Sequence, residues 1–193
     1  MYWSKNDFRE VLATDKTVFD EYVNSAFKSK LLLYLVNDHI IKIQRYIKRL
    51  RYSQYYKMKY EAGNKLSIFP YIINTRYLNR LGNKLGFFIS PGAKIGKGLM
   101  IYHHGTIIIN GNAVIGDYCK LHGNNCIGNG GGDSQNAPNI GNNCDIGFGA
   151  TIIGGIKIAD DATIGAGAVV NKDCYEKQAL LVGVPALLKE RGR

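Results

Sequence analysis

Apolar positions in the second half of the chain recur every six residues. Five aliphatic residues lie at strict six-residue steps: Ile146, Ile152, Ile158, Ile164 and Val170. The residue two before most of them is small: Cys144, Ala150, Ala162 and Ala168. A period of six fits neither the helical turn nor a long alternating strand. A short fixed period with an apolar position is typical of a stacked β-solenoid, and we predict that fold here.

The same register continues upstream, with some irregular steps. It passes through Ile89, Ile95, Ile101, Ile108, Ile115, Leu121, Ile127 and Ile140. We expect each six-residue unit to form one side of a three-sided coil, so that residues three units apart stack. Side one then collects Ile89, Ile108, Ile127, Ile152 and Val170, side two Ile95, Ile115, Ile140 and Ile158, and side three Ile101, Leu121, Ile146 and Ile164. The Gly- and Asn-rich insert 129–139 is predicted to project as a loop between sides one and two.

The first part of the chain has a helical pattern instead. Ile40, Ile43, Ile47 and Leu50 follow helical spacing, with Asn37 or Asp38 placed to cap the start. Gly63-Asn64 ends this helix, and a second is expected after Pro70. The predicted organisation is therefore a helical, basic region at 1–86, a β-helix at 87–175 and a tail at 176–193.

Composition and cysteine usage agree with an intracellular protein. The chain of 193 residues is 46% hydrophobic, which is ample for a core, and its N-terminus lacks the apolar segment of a signal peptide. Cys119, Cys144 and Cys174 occupy small positions of the repeat and are expected to be buried free thiols. We therefore expect a cytoplasmic location, with a peripheral position at the inner membrane face as its extension.

The positive charge is concentrated before the middle of the chain. The net charge is +10, and the stretch 39–116 holds thirteen basic residues against one acidic residue, Glu61. Three interpretations stay open: a solvated helix face, an anionic membrane surface, or a phosphorylated substrate. For the membrane, Lys48, Arg49 and Arg51 are the expected contacts. Nucleic acid is not expected, because no binding module accompanies the charge.

Histidines provide the candidate chemistry. His103 and His104 follow Ile101, and His122 follows Leu121, which stacks on Ile101 in the predicted coil. Three imidazoles should therefore meet at one edge, where a neutral imidazole can deprotonate an alcohol near neutral pH. His39 lies in the helical region and is expected to be incidental.

The residues around this edge resemble a known family. The segment Gly98-Leu-Met-Ile-Tyr-His-His-Gly-Thr-Ile-Ile-Ile-Asn is similar to the active-site coil of the serine acetyltransferases, which are hexapeptide-repeat acyltransferases with a left-handed β-helix. Ile164-Gly-Ala-Gly-Ala-Val-Val-Asn-Lys-Asp and Val182-Gly-Val-Pro-Ala are similar too. The resemblance implies a left-handed helix, a homotrimer with acetyl-CoA between neighbouring prisms, and His103 as the general base. His104 and His122 are secondary candidates, and Asn110 and Asn124 are candidates to hold the oxyanion.

Some family residues are replaced. An Asp before the base is Tyr102 here, an Asp before the first repeat is Phe88, and a His before a Pro is Ala137. These changes remove groups that orient the base and bind an amino acid. The chain therefore resembles the branch that acetylates sugars of capsular or exopolysaccharides, with serine O-acetylation for cysteine synthesis as the alternative.

The resemblance also indicates where acetyl-CoA binds. The cofactor candidates are Asn129, Phe148, Gly149, Ala166, Lys172 and Lys189. The two lysines are candidates for the CoA phosphates, although Leu187 replaces the family's usual basic residue after Val-Pro-Ala. No metal is required in this scheme. Two interpretations of other classes are a zinc hydratase on the same fold and a structural solenoid without catalysis.

Overall fold

The protein is a three-sided β-helix with an N-terminal layer of helices, as a computed structural model shows for residues 3–26, 30–131 and 136–189. The helices are α1 (Lys5–Ala26), α2 (Lys30–Leu35), α3 (His39–Glu61) and α4 (Ile68–Leu85), with a short 3₁₀ turn at Lys65–Ser67. Fifteen short strands follow within the described ranges. The predicted helical region and left-handed β-helix are both confirmed.

The strands form three parallel sheets, one for each side of the prism. Side one contains β1 (Phe87–Ile89), β4 (Ile107–Ile109), β7 (Cys126–Gly128), β10 (Thr151–Ile153) and β13 (Val169–Val170). Side two contains β2 (Lys94–Ile95), β5 (Val114–Ile115), β8 (Asn139–Ile140) and β11 (Lys157–Ile158). Side three contains β3 (Met100–Ile101), β6 (Lys120–Leu121), β9 (Asp145–Ile146), β12 (Thr163–Ile164), β14 (Leu180–Gly183) and the antiparallel β15 (Ala186–Lys189).

The interior columns are those that the period predicts, with one exception. The apolar residues of sides two and three are buried and paired in the predicted order, and Leu181 extends side three. Cys119, Cys144 and Cys174 are buried free thiols, as expected from their small positions. Stacking these side chains removes one continuous apolar column from water, which stabilises the coils.

The exception lies in β4, where the predicted register is wrong by one residue. Ile109, not Ile108, pairs with Ile89 and Ile127, and Ile109 is 1% exposed whereas Ile108 is 41% exposed. The step from Ile101 is therefore eight residues long, and the next step, to Ile115, is the regular six. Because Ile107, Ile108 and Ile109 are equally apolar, the hydrophobic pattern alone does not identify which of them faces the interior. Strand alternation makes the choice, because the two outer isoleucines face inward together.

Helix α3 connects the helical layer to the prism. Asp38 caps its start, with Asp38 Oδ1 accepting the Ile40 amide at 2.9 Å, as predicted. The hydroxyl of Tyr46 accepts the Ile89 amide at 3.2 Å, and burial raises the pKa of Tyr46 to about 12. The helical layer is thus bonded directly to the first strand of side one.

Arg51 is a buried structural residue, so its assignment as a membrane contact is wrong. Its side chain is fully buried and forms a salt bridge with Asp15 of α1, with Nε 2.8 Å from Oδ2. The guanidinium also donates to the carbonyls of Ile95 and Gly96, at 2.7 and 2.5 Å. One cation therefore joins α1, α3 and the second strand of the prism, which is a bonding pattern that the sequence charge count could not reveal.

Candidate active site

The turn that follows β3 carries His103 and His104. On one side, the Gly105 amide donates to the carbonyl of Leu85 at the end of α4, at 2.9 Å. On the other side, the Thr106 amide donates to Asn124 Oδ1 at 2.8 Å. The two extra residues of the eight-residue step therefore form a turn that is held by both the helical layer and the next coil.

His39 lies beside the turn that carries His103 and His104, contrary to the expectation that it is incidental. Its ring centroid lies 6.1 Å from that of His103 and 5.3 Å from that of His104. His39 is the first residue of α3, and its Nδ1 lies 3.2 Å from Asp38 Oδ1. No periodic relation in the sequence links the start of a helix to a solenoid turn, so only the tertiary structure brings the three rings together.

His122 forms a separate pair with a carboxylate. Its Nε2 lies 2.7 Å from Asp145 Oδ1, and its ring centroid is 4.8 Å from that of Tyr102. Tyr102 in turn lies edge-on to Tyr22 of α1, at 5.2 Å. Burial, followed by the charge of Asp145, raises the pKa of Tyr102, so its hydroxyl is a proton donor at neutral pH. Asp145 is a partner of His122 that the sequence analysis missed. It directly precedes the repeat residue Ile146, and nothing at that position indicates contact with a histidine.

The predicted base and part of the predicted cofactor set lie along one corner of the prism. A Cβ placed on Gly123 would lie 3.4 Å from His103 Cβ and 3.2 Å from the Phe148 ring. The side chains of His103 and Phe148 therefore both approach the backbone of Gly123. Gly149 donates to the Gly123 carbonyl at 2.9 Å, and Ala166 is exposed in the turn of the next coil. This edge, which we call the histidine corner, joins side three to side one.

A buried amide that sequence reasoning overlooked supports the histidine corner. Asn125 is 1% exposed; its Oδ1 accepts the Gly123 amide at 3.0 Å, and its Nδ2 donates to the Gly147 carbonyl at 2.8 Å. Asn124 is also engaged, since its amide oxygen accepts from Thr106. Two consecutive Asn residues at a turn are a signal for such local bonding, and the turn role applies to both.

The other predicted site residues lie elsewhere on the same chain. Asn110 follows β4, Asn129 follows β7 and Lys172 follows β13, so all three lie at the corner between sides one and two. The ends of the 129–139 loop are at this corner, while its central residues 132–135 lie outside the described residues. Lys189 is exposed at the end of β15, on side three. A single prism therefore does not bring these four residues to His103.

Neither a metal-binding cluster nor a membrane-spanning helix is found among the described residues. They contain no cluster of three or more His, Cys, Asp or Glu side chains suited to holding a metal ion. No helix within them is both long enough and apolar enough to cross a bilayer.

Similar proteins are found at the levels of both sequence and structure. No protein-family model matches this sequence. A serine acetyltransferase of Synechococcus elongatus is 34% identical over 122 residues, which cover 63% of this chain and 48% of that protein. The putative colanic acid biosynthesis acetyltransferase WcaB of Escherichia coli is 38% identical over 104 residues, covering 54% of this chain and 64% of that protein. The matches thus span about half to two thirds of these relatives.

The fold comparison covers nearly the whole chain. The crystal structure of a serine acetyltransferase from Vibrio cholerae superposes with a TM-score of 0.75 at 26% identity, over 98% of this chain and 68% of that one. The likeness therefore includes the helical layer as well as the prism. Sequence and fold together confirm that this chain resembles the hexapeptide-repeat acyltransferases, in the branch that contains the serine acetyltransferases.

Proposed function

We propose that the protein is an O-acetyltransferase that moves the acetyl group of acetyl-CoA to an acceptor hydroxyl. The observation that carries this proposal is the histidine corner, where the side chains of His103 and Phe148 both approach Gly123 in a β-helix similar to named acetyltransferases. Phe148 is 47% exposed, and the small residues Gly149 and Ala166 follow along the same edge. An extended thiol arm can lie against such an edge, with its thioester close to the imidazole.

The chemistry assigns His103 the role of general base. His103 removes the proton of the acceptor hydroxyl as its oxygen attacks the thioester carbonyl carbon. Amide donors stabilise the tetrahedral oxyanion, for which Asn110 of a neighbouring chain is the proposed side chain. The carbon–sulfur bond then breaks, the acetyl group remains on the acceptor oxygen, and the CoA sulfur takes the proton back from His103.

We propose a sugar hydroxyl, in a precursor of a surface polysaccharide, as the acceptor. Beside His103 the corner presents the neutral phenol of Tyr102, and the nearby carboxylate of Asp145 is already bonded to His122. A free amino acid carries an ammonium group that needs an unengaged carboxylate, whereas a sugar needs neutral donors and acceptors. The name of WcaB supports this acceptor class. The name of the Synechococcus relative supports serine, which is the second candidate.

An acceptor screen tests the proposed function directly. Release of CoA from acetyl-CoA is followed with L-serine, with nucleotide sugars and with lipid-linked sugars at matched concentrations. We expect turnover with a sugar acceptor and little with serine. Fast acetylation of serine would replace the sugar by the second candidate, and no acetyl transfer to any hydroxyl would contradict the enzyme assignment.

We propose that the active unit is a homotrimer with the site shared between chains. The proposal rests on the separation of the predicted residues: His103 and Phe148 lie at the histidine corner, whereas Asn129 and Lys172 lie at the opposite edge of side one. Packing one chain's histidine corner against its neighbour's other corner brings both sets to one cleft. Lys172 in this cleft, and Lys189 at the end of side three, are the proposed contacts of the CoA phosphates.

The shared site predicts the mass of the active particle in solution. Light scattering at micromolar concentration should report about three times the 21.4 kDa chain. Mixing inactive His103→Ala chains with inactive Lys172→Glu chains should restore some activity if each site uses one residue from each neighbour. A monomer with full activity would contradict the shared site.

We also propose a cytoplasmic protein that approaches an anionic membrane surface through α4 rather than α3. Helix α4 exposes a row of large apolar side chains: Phe69, Ile72, Ile73 and Tyr77. Arg76 and Arg80 are exposed on the same helix, and an apolar face beside cations is typical of helices that lie in a lipid interface.

Vesicle co-sedimentation tests this surface. Arg76→Gln with Arg80→Gln should lower binding to vesicles containing phosphatidylglycerol by about 30-fold, because each of the two cations near such a surface contributes about 1 kcal/mol. The matched control is Lys120→Gln with Lys157→Gln, which removes the same charge from exposed positions of the prism. Equal binding by both double variants would contradict a role for α4.

A further inference from the structure

A large cavity lies between the helical layer and the prism, and its lining extends to Ile101, two residues before His103. Its volume is about 600 Å³, which is within the range of small-molecule sites. It is bounded by α1, α2 and α3 and by the chain around β3, and its inner wall is apolar. That wall includes the buried side chains of Phe19, Ile43, Ile47, Leu99 and Met100.

The rim of this cavity is cationic. Lys16, Arg45 and Lys48 line it, are exposed, and form no ion pair with any residue that the structure describes. The acidic residue of the lining, Asp15, is bonded to Arg51 and to the Gly98 amide, so its charge is compensated. An apolar wall with three uncompensated cations at the rim is complementary to an amphiphile whose head is anionic.

Helix α3 sets the distance between this rim and the proposed base. Its first residue, His39, lies beside His103, while Arg45 and Lys48 lie further along the same helix. At 1.5 Å per residue, the two cations are about 9 and 14 Å along the axis from His39. A sugar at the histidine corner that carries a diphosphate would place its phosphates within reach of Arg45 and Lys48.

We propose that the cavity binds the diphosphate and the first part of the apolar chain of an isoprenoid-linked acceptor. This inference rests on the proposed function for the sugar, but the binding site itself does not depend on catalysis. The cationic rim holds the diphosphate, the apolar wall covers the chain, and the sugar extends along α3 to His103. A nucleotide sugar shares the diphosphate but has no apolar chain to match the wall.

Equilibrium calorimetry with farnesyl diphosphate tests the site in the full-length protein without acetyl-CoA. Farnesol, inorganic pyrophosphate and uridine diphosphate glucose serve as comparison ligands. We expect farnesyl diphosphate to bind more tightly than each of the three, because only this ligand uses both the rim and the wall. Equal or tighter binding of uridine diphosphate glucose would overturn the apolar part of the proposal.

Two variants locate the binding. Arg45→Gln with Lys48→Gln should raise the Kd for farnesyl diphosphate about tenfold or more, since charge-assisted contacts to phosphate are lost. Ala13→Trp, at an exposed lining position on α1, should block the mouth of the cavity and abolish binding without changing the charge. Lys59→Gln, in the last turn of α3, is the control and should bind like the unmodified protein. Unchanged affinity in both the double variant and Ala13→Trp would overturn the site.

The results separate this inference from the proposed function. Binding of farnesyl diphosphate that is sensitive to these substitutions, in a protein that acetylates no sugar, would support the cavity and contradict the sugar acceptor. Acetylation of sugars by a protein that does not bind farnesyl diphosphate would support the function and overturn the cavity proposal.

Discussion

Replacing His103 by Ala is expected to lower kcat at least about 100-fold, the usual contribution of a positioned general base. The acceptor hydroxyl is a weak nucleophile until its proton is removed, and no other group at the corner takes that role in the proposed reaction. The Kd for acetyl-CoA should change little, because the imidazole acts on the acceptor. Steady-state turnover and a direct binding measurement of acetyl-CoA provide the two readings.

The neighbouring histidines are the matched controls. His122→Ala should cost less, because the His122 ring is bonded to Asp145 and packs against Tyr102, which is a positioning arrangement. His104→Ala should also cost less, and circular dichroism should show that each variant keeps its β-structure. A larger loss in His122→Ala, matched by Asp145→Asn, would move the base from His103 to the His122–Asp145 pair.

Arg51→Ala is expected to lower the free energy of unfolding by about 3–5 kcal/mol. The substitution leaves the carboxylate of Asp15, which is only 10% exposed, without its cation, and it leaves the carbonyls of Ile95 and Gly96 without this donor. Urea denaturation followed by circular dichroism measures the change. Lys48→Ala, one turn earlier on the same helix and exposed, should change stability by less than about 0.5 kcal/mol.

A double substitution separates the charge effect from packing. Arg51→Met with Asp15→Leu leaves no unpaired charge and should recover part of the lost stability. A single variant as stable as the unmodified protein would show that water replaces the guanidinium contacts. It would also remove the argument that this residue joins the helices to the prism.

The repeat made the fold predictable because it reports burial directly. Each six-residue unit places one large aliphatic side chain in the interior, so Ile146 and Ile164 identified their columns without any information on tertiary contacts. The same rule failed at Ile108, where three equally apolar neighbours compete for the interior position. A hydrophobic pattern locates a column but does not fix register within a uniform apolar run.

The site was less predictable, since its contacts join segments that are distant in the chain. His39 approaches His103, and Asp145 approaches His122, through helix packing and coil stacking that leave no trace in local sequence. The charge count likewise could not distinguish the buried guanidinium of Arg51 from the exposed side chain of Lys48. Burial and partners decide the role of a charged residue, and both are properties of the folded chain.

The eight-residue step has a consequence for how scaffold and chemistry can be separated in this molecule. The strands of each coil pair only with strands of the coils directly above and below it, so a longer turn in one coil leaves the spacing of the others unchanged. The two additional residues at the histidine corner therefore do not disturb the stacking of the other coils. Shortening this turn to the regular length should leave a folded prism without its imidazoles. Such a variant would have the same architecture and no catalytic activity.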